Sequence, residues 1–185
     1  HVLPRGILRE PLAQLARAGA FLITKRDQIT QDRADAIVHT LRQYNREAPV
    51  AMAIHKPSYC LSFASWYEGR SDGSGKLPPD GRPILAVSAL GNPASFERTL
   101  SDAGFTVAGA IRYEDHHRYS RDDIRQMADK ATAAGCPLVT TEKDAVKLSA
   151  SLIREYGLPL YVLGITIEIV EGQEKIDTIL QAVLE

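Results

Sequence analysis

The chain has 185 residues and 20.3 kDa, 44% apolar and 24% charged, proportions of a globular protein long enough to bury a sizeable core. A net charge of −1 gives no reason to expect nucleic acid, and no apolar run approaches the roughly 20 residues of a membrane-spanning helix. Cys60 and Cys136 lack the spacing of a zinc site or a redox pair, so two free thiols are expected. The chain opens at His1 with neither an initiator Met nor a signal-peptide pattern, and it reads as part of something longer.

Residues 3–11 read as a loop feeding a short helix, with Pro11 in its first turn and Leu12, Leu15 and Ala16 on one side. Residues 20–24 make a short buried strand. Thr30 caps a longer helix on which Ala34, Ile37, Val38 and Leu41 recur at the spacing of a core face, leaving His39 on the surface. Residues 49–55 form the next strand, and 58–67 alternate loosely enough for another. Residues 70–82 carry turn chemistry throughout and form an exposed loop. Within it, Gly73-Ser-Gly-Lys76 lacks the spacing of a phosphate loop, and Leu77-Pro-Pro follows where that loop needs a helix.

Beyond the loop the rhythm becomes regular. Strands at 83–88, 105–112, 137–141 and 158–163 alternate with helices at 93–103, 120–134 and 142–148. Residues 166–170 extend the last strand, and 172–184 close the chain as a helix with Ile176, Ile179, Leu180, Val183 and Leu184 on one face. The strand at 105–112 is expected to be buried, and Ser120-Arg-Asp-Asp123 has the form that opens a helix. Such alternation implies an α/β fold, a mostly parallel sheet with helices on both faces.

Three strand exits collect polar residues: Ala89-Leu-Gly-Asn-Pro93, Glu114-Asp-His-His117 and Thr140-Thr-Glu-Lys-Asp144. In a parallel sheet these exits fall on one edge and should converge. Gly91-Asn92-Pro93 offers backbone N–H groups at a helix start, a common anion site and equally a tight turn. Lys143 puts an ammonium beside another helix start. Asp115 next to His116 can orient an imidazole or raise its basicity for proton transfer.

Four segments together resemble one family. Leu3-Pro-Arg-Gly-Ile-Leu-Arg-Glu-Pro11, Ser88-Ala-Leu-Gly-Asn-Pro-Ala-Ser-Phe96, Asp115-His-His-Arg-Tyr119 and Thr141-Glu-Lys-Asp-Ala-Val-Lys147 look like the C-terminal half of tetraacyldisaccharide 4'-kinases, the lipid A 4'-kinases of Gram-negative bacteria. The resemblance implies the C-terminal part of a P-loop kinase-like, two-domain protein. Residues 1–69 would end the first domain with connecting elements, 70–82 would be the loop, and 83–185 the C-terminal α/β domain.

The activity implied is transfer of the ATP γ-phosphate, with Mg²⁺, to the 4'-hydroxyl of a tetraacyldisaccharide 1-phosphate at the cytoplasmic face of the inner membrane. The implied catalytic residues are His116, which would help take the hydroxyl proton together with an acid of the N-terminal half, and Asp115, which would support it. Arg9 and Glu10 would lie near the sugar and its phosphate. His117, Asn92 and Lys143 would be substrate-binding or shape the cleft. No residue is expected as a metal ligand. ATP and Mg²⁺ would bind mainly through the N-terminal half, whose Gly-rich loop is not among these residues, so the chain alone is expected to be inactive. Ala89-Leu90 stands where the family usually has Gly-Ile. Two other readings remain at this point: a metal-dependent phosphoesterase using Asp115-His116-His117, and a non-catalytic α/β binding module.

Overall fold

A computed structural model describes residues 8–70 and 74–184 of the chain. The expectations for residues 3–7, for the 71–73 stretch of the exposed loop and for the side chain of Val183 lie outside the described residues. The chain forms two compact units whose limits fall at 55/56 and 166/167, because two long strands each contribute one part to either unit.

The first unit comprises the residues up to 55 and those from 167 onward. A 3-10 turn, Leu12–Arg17, precedes strand β1, Phe21–Ile23. A further 3-10 turn leads to helix α1, Gln31–Tyr44, which Thr30 caps by accepting from Arg33 N. Asn45 ends that helix and organises its surroundings. Its amide donates to the carbonyls of Leu15, Ala16 and Ala18 at 3.3, 3.2 and 3.0 Å. Its carbonyl oxygen accepts from Glu47 N and Ala48 N at 3.2 and 2.9 Å. Strand β2 spans Val50–Ser62, and its start pairs in parallel with β1, Leu22 opposite Ala51. The end of strand β6, Leu160–Glu171, and helix α7, Gln173–Leu184, complete the unit. Gly172 joins them at φ 77°, where a Cβ would lie 2.7 Å from Val50 O. The core here is small: Phe21, Ala34, Ala48, Ala51, Met52 and Ala53. The stripe read on α7 does not form a closed core, since Leu180 and Leu184 are exposed. His39 lies on the surface as expected.

The second unit, residues 56–166, carries the rest of β2 and the start of β6. Its other elements are α2 (Phe63–Tyr67), β3 (Pro83–Ser88), α3 (Pro93–Asp102), β4 (Thr106–Arg112), α4 (Arg121–Ala134), β5 (Leu138–Thr141), α5 (Glu142–Ala145) and α6 (Ala150–Glu155). Its strand order is β2-β6-β5-β3-β4, and the β6/β5, β5/β3 and β3/β4 pairs are parallel. Helices cover both faces. Ile84, Phe96, Leu100 and Val139 pack one layer, and Val87, Ile124, Met127, Leu138 and Val162 the other. The α/β fold with a mostly parallel sheet is therefore as expected.

Three local expectations change. Residues 58–67 are no separate strand, because β2 runs unbroken to Ser62, whose side chain then caps α2 by accepting from Ser65 N. Strand β4 is the edge strand and half exposed, which its small outward Ala108 and Ala110 allow. Helix α5 stops at Ala145, and Ser149 caps the unanticipated α6.

Candidate functional site

The exits of β3, β4 and β5 meet at one edge of the second unit. Asp144, with 0% exposure, ties two of them: Oδ2 accepts from Ala89 N at 3.0 Å and from Thr141 Oγ1 at 3.1 Å. Its Oδ1 takes Lys147 Nζ at 2.8 Å, so the buried charge is paired and fully hydrogen-bonded. The third exit joins through Asp115, whose Oδ1 accepts from Lys143 Nζ at 3.2 Å. Gly91 lies beside the same carboxylate, where a Cβ would be in ordinary contact with Asp115 Oδ2 at 3.4 Å. The convergence expected from a parallel sheet is present as direct contact.

The two histidines part ways. His117 N donates to Glu114 O at 3.0 Å, closing a turn that holds His116 at φ 65°, a left-handed conformation uncommon for a residue with a Cβ. His116 N donates to Asp115 Oδ1 at 3.0 Å, and its ring stands out, 79% exposed, with Nε2 3.7 Å from Asp115 Oδ2. His117 turns inward. Its Nε2 lies 3.0 Å from Asp123 Oδ2 and its ring stacks on Tyr113 at 4.6 Å. Asp123 also accepts from Ser120 N and Oγ, both at 2.7 Å, completing the capping box of α4.

The electrostatics follow the geometry. The hydrogen bond from Lys143, aided by the charge of His116, holds the Asp115 carboxyl below its ordinary range. Burial works to raise Asp123, but hydrogen bonds from Ser120 and His117 outweigh it and lower the carboxyl. Burial, with the charge of Asp123, pushes Tyr113 up to about 12, and burial with the charge of Asp144 pushes Tyr119 up as well. The site thus pairs an ionised acid with an ammonium and displays one free imidazole face.

The remaining candidates serve locally. Asn92 caps α3, its side chain accepting from Ser95 N at 3.2 Å. Arg9 and Glu10 belong to the first unit, where Glu10 Oε2 accepts from Arg17 at 2.7 Å and Arg9 is exposed. Glu142, beside Lys143, was not singled out by its sequence. Its Oε1 accepts from Tyr59 Oη and from Trp66 Nε1, the latter at 3.4 Å. Burial and that hydrogen bond push Tyr59 up to about 12.

Among the described residues neither a glycine-rich phosphate loop nor a cluster of metal ligands is formed. Gly75 O accepts from Ser62 N at 2.7 Å and Lys76 bridges to Leu61, so this glycine turn is pinned to β2 and is no phosphate cradle. Among the described residues no three His, Cys, Asp or Glu side chains gather as metal ligands. Asp115 engages Lys143 while His117 engages Asp123, so the triplet diverges from the geometry a two-metal hydrolase needs.

The whole chain, residues 1–185, matches the profile of the tetraacyldisaccharide-1-P 4'-kinases. The chain belongs to that family. A tetraacyldisaccharide 4'-kinase from Halothermothrix orenii is 40% identical over 178 residues, 91% of this chain and 46% of that protein. One from Anaeromyxobacter sp. strain K is 36% identical across 100% of this chain and 47% of its own length. The crystal structure of LpxK from Aquifex aeolicus, a complex with ATP, superposes with a TM-score of 0.58 at 21% identity, covering 100% of this chain and 48% of that one. The fold of this chain is accordingly that of about half of that structure. The chain spans about half the length of the curated tetraacyldisaccharide 4'-kinases it matches.

Proposed function

We propose that this chain is the acceptor-side part of a lipid A kinase, which transfers the ATP γ-phosphate to the 4'-hydroxyl of a tetraacyldisaccharide 1-phosphate. The observation that carries the reading is the joining of Gly91, Asp115-His116 and Lys143 at three strand exits, in a chain that matches the kinase family along its whole length.

Phosphoryl transfer needs positioning and charge neutralisation more than covalent chemistry. His116 projects into solvent with its backbone fixed by Asp115, a presentation suited to a group that must reach a substrate hydroxyl. It receives the hydroxyl proton in concert with an acid supplied by the rest of the kinase. Asp115, kept ionised by Lys143, orients the imidazole and stabilises its charged form. Lys143 sets Asp115 and adds positive charge near the developing phosphate. His117 acts as the wedge that holds the loop. ATP and Mg²⁺ contacts are supplied by the other half of the kinase. The substrate is a membrane lipid, so the kinase works at the cytoplasmic face of the inner membrane as a peripheral protein. Among the described residues no helix is long and apolar enough to cross a membrane.

The test is the rate of 4'-phosphorylation by the full-length protein with His116 replaced. His116→Ala should lower it about 10²–10⁴-fold, the usual contribution of a general base. A variant with wild-type rate would remove the assignment. The 185 residues on their own should transfer no phosphate from ATP.

A further inference from the structure

Two hollows of the second unit share Ser58, Tyr59 and Lys76. The first, about 510 Å³, is walled by Tyr59 and Trp66 and carries Arg70 and Lys76. The second, about 540 Å³, is mostly apolar, lined by Leu77, Pro79, Phe105 and Leu163. The ridge between them is a built feature. Tyr59 lies flat against Gly164 of β6, where any Cβ would collide with the ring. Glu142 then fixes both aromatic rings from behind, accepting from Tyr59 Oη and Trp66 Nε1. Lys76 is placed by the segment that returns along β2, with Ser62 N bonded to Gly75 O and Leu77 N to Cys60 O at 2.7 and 2.8 Å. Arg70, which also pairs with Glu68 at 2.7 Å, adds a second cation.

The chemistry of the two halves differs. Aromatic faces with polar edges accept a ring that is apolar on its faces and hydroxylated at its rim, and adjacent cations accept an anion on that ring. An apolar hollow entered over the same lysine accepts hydrocarbon. Together they describe an anionic glycolipid. Resting on the function proposed above, we infer that the Tyr59–Lys76 ridge seats the acylated sugar phosphate itself, with a sugar ring on Trp66, its phosphate at Arg70 and Lys76, and one acyl chain against Phe105.

Trp66 is the single tryptophan of the chain, so its emission reports on the first hollow directly. The full chain should be titrated with N-acetylglucosamine 1-phosphate, with N-lauroylglucosamine 1-phosphate below its micelle concentration, and with inorganic phosphate. Both sugar phosphates should shift the emission saturably, the lauroyl compound about ten-fold or more tighter. Lys76→Ala should weaken both about ten-fold. Ala103→Phe, which fills the second hollow, should abolish only the advantage of the acyl chain, with the thermal midpoint checking that the variants fold. An unchanged emission, equal affinities for the two sugars, or inorganic phosphate binding as tightly as the sugar phosphate would each overturn the proposal. The titration contains no ATP, so its failure is separable from that of the kinase reading. If the ridge binds neither sugar while the full-length protein loses kinase activity in His116→Ala, only the ridge assignment falls. Binding in a full-length protein without kinase activity would instead sink the kinase reading alone.

Discussion

The second unit buries Ile84, Leu100, Ile124, Met127, Leu138, Val139 and Val162 completely, whereas among its described residues the first fully buries only Ala34, Ala51 and Ala53 and leaves Leu22, Ile167, Val170, Leu180 and Leu184 exposed. Yet α1 and α7 of the first unit both carry in their sequence the apolar spacing of a core face. The difference shows that periodicity identifies which face of an element is apolar but not whether anything covers it. A core made mostly of alanines, with Phe21 and Met52, also yields little free energy, because burial scales with apolar area removed from water. The first unit should therefore open before the second, and the candidate site at the β3, β4 and β5 exits rests on the better-packed unit.

The sharpest way to break this comparison is a matched pair of truncations followed by denaturant unfolding. Leu138→Ala should cost about 2–5 kcal/mol, and Leu180→Ala should stay within about 0.5 kcal/mol. Equal losses would mean that the exposed stripe of α7 is packed after all. Next in size is Asp144→Ala, expected to cost about 3 kcal/mol because it strands Ala89 N and Lys147 at once, with Asp144→Asn recovering part of that loss. A smaller effect has the opposite sign. His116→Gly should stabilise the second unit by about 1 kcal/mol in thermal melts by releasing the left-handed backbone, while leaving kinase activity as low as in His116→Ala.

The smallest effect is one of pH. Glu97 is lowered by its hydrogen bonds from Arg112, and Asp123 by Ser120 and His117 against the opposing pull of burial. Carboxyls depressed in the folded state contribute stability above their unfolded pKa, about 4, and lose it as the pH falls through the folded values. Hydrogen exchange should show β4 and α4 weakening over that acid range. Glu97→Gln should flatten part of the slope, and an unaltered slope would rule the pair out as its source.

Much of the second unit was legible because apolar runs such as β3 and β5 alternate with capped helices, and the exits of β3 and β4 carry turn residues, Gly91-Asn92 and Asp115. The convergence of Gly91, Asp115 and Lys143 followed from that topology. The extent of β2 was obscured by Lys56 and Pro57 within it, and α6 by its six-residue length, too short for a periodic signal. The separate fates of His116 and His117 could not be read from adjacent identical residues. One backbone angle decides them, through a turn that sends one ring outward and the other onto Tyr113. The setting of Tyr59 and Trp66 was equally hidden, because their shared acceptor Glu142 lies 83 and 76 residues away.

Asn45 carries a consequence for the ageing of the protein. Its amide nitrogen faces three carbonyl oxygens, so hydrolysis of the side chain to aspartate would set a carboxylate against three acceptors with no proton to share. While the first unit is closed, those same bonds hold the amide still and shield it from attack. Deamidation at this position becomes a slow chemical clock, advancing only during the intervals when the unit is open and recording their sum in stored material as a one-dalton mass increase, roughly the difference between an amide and an acid.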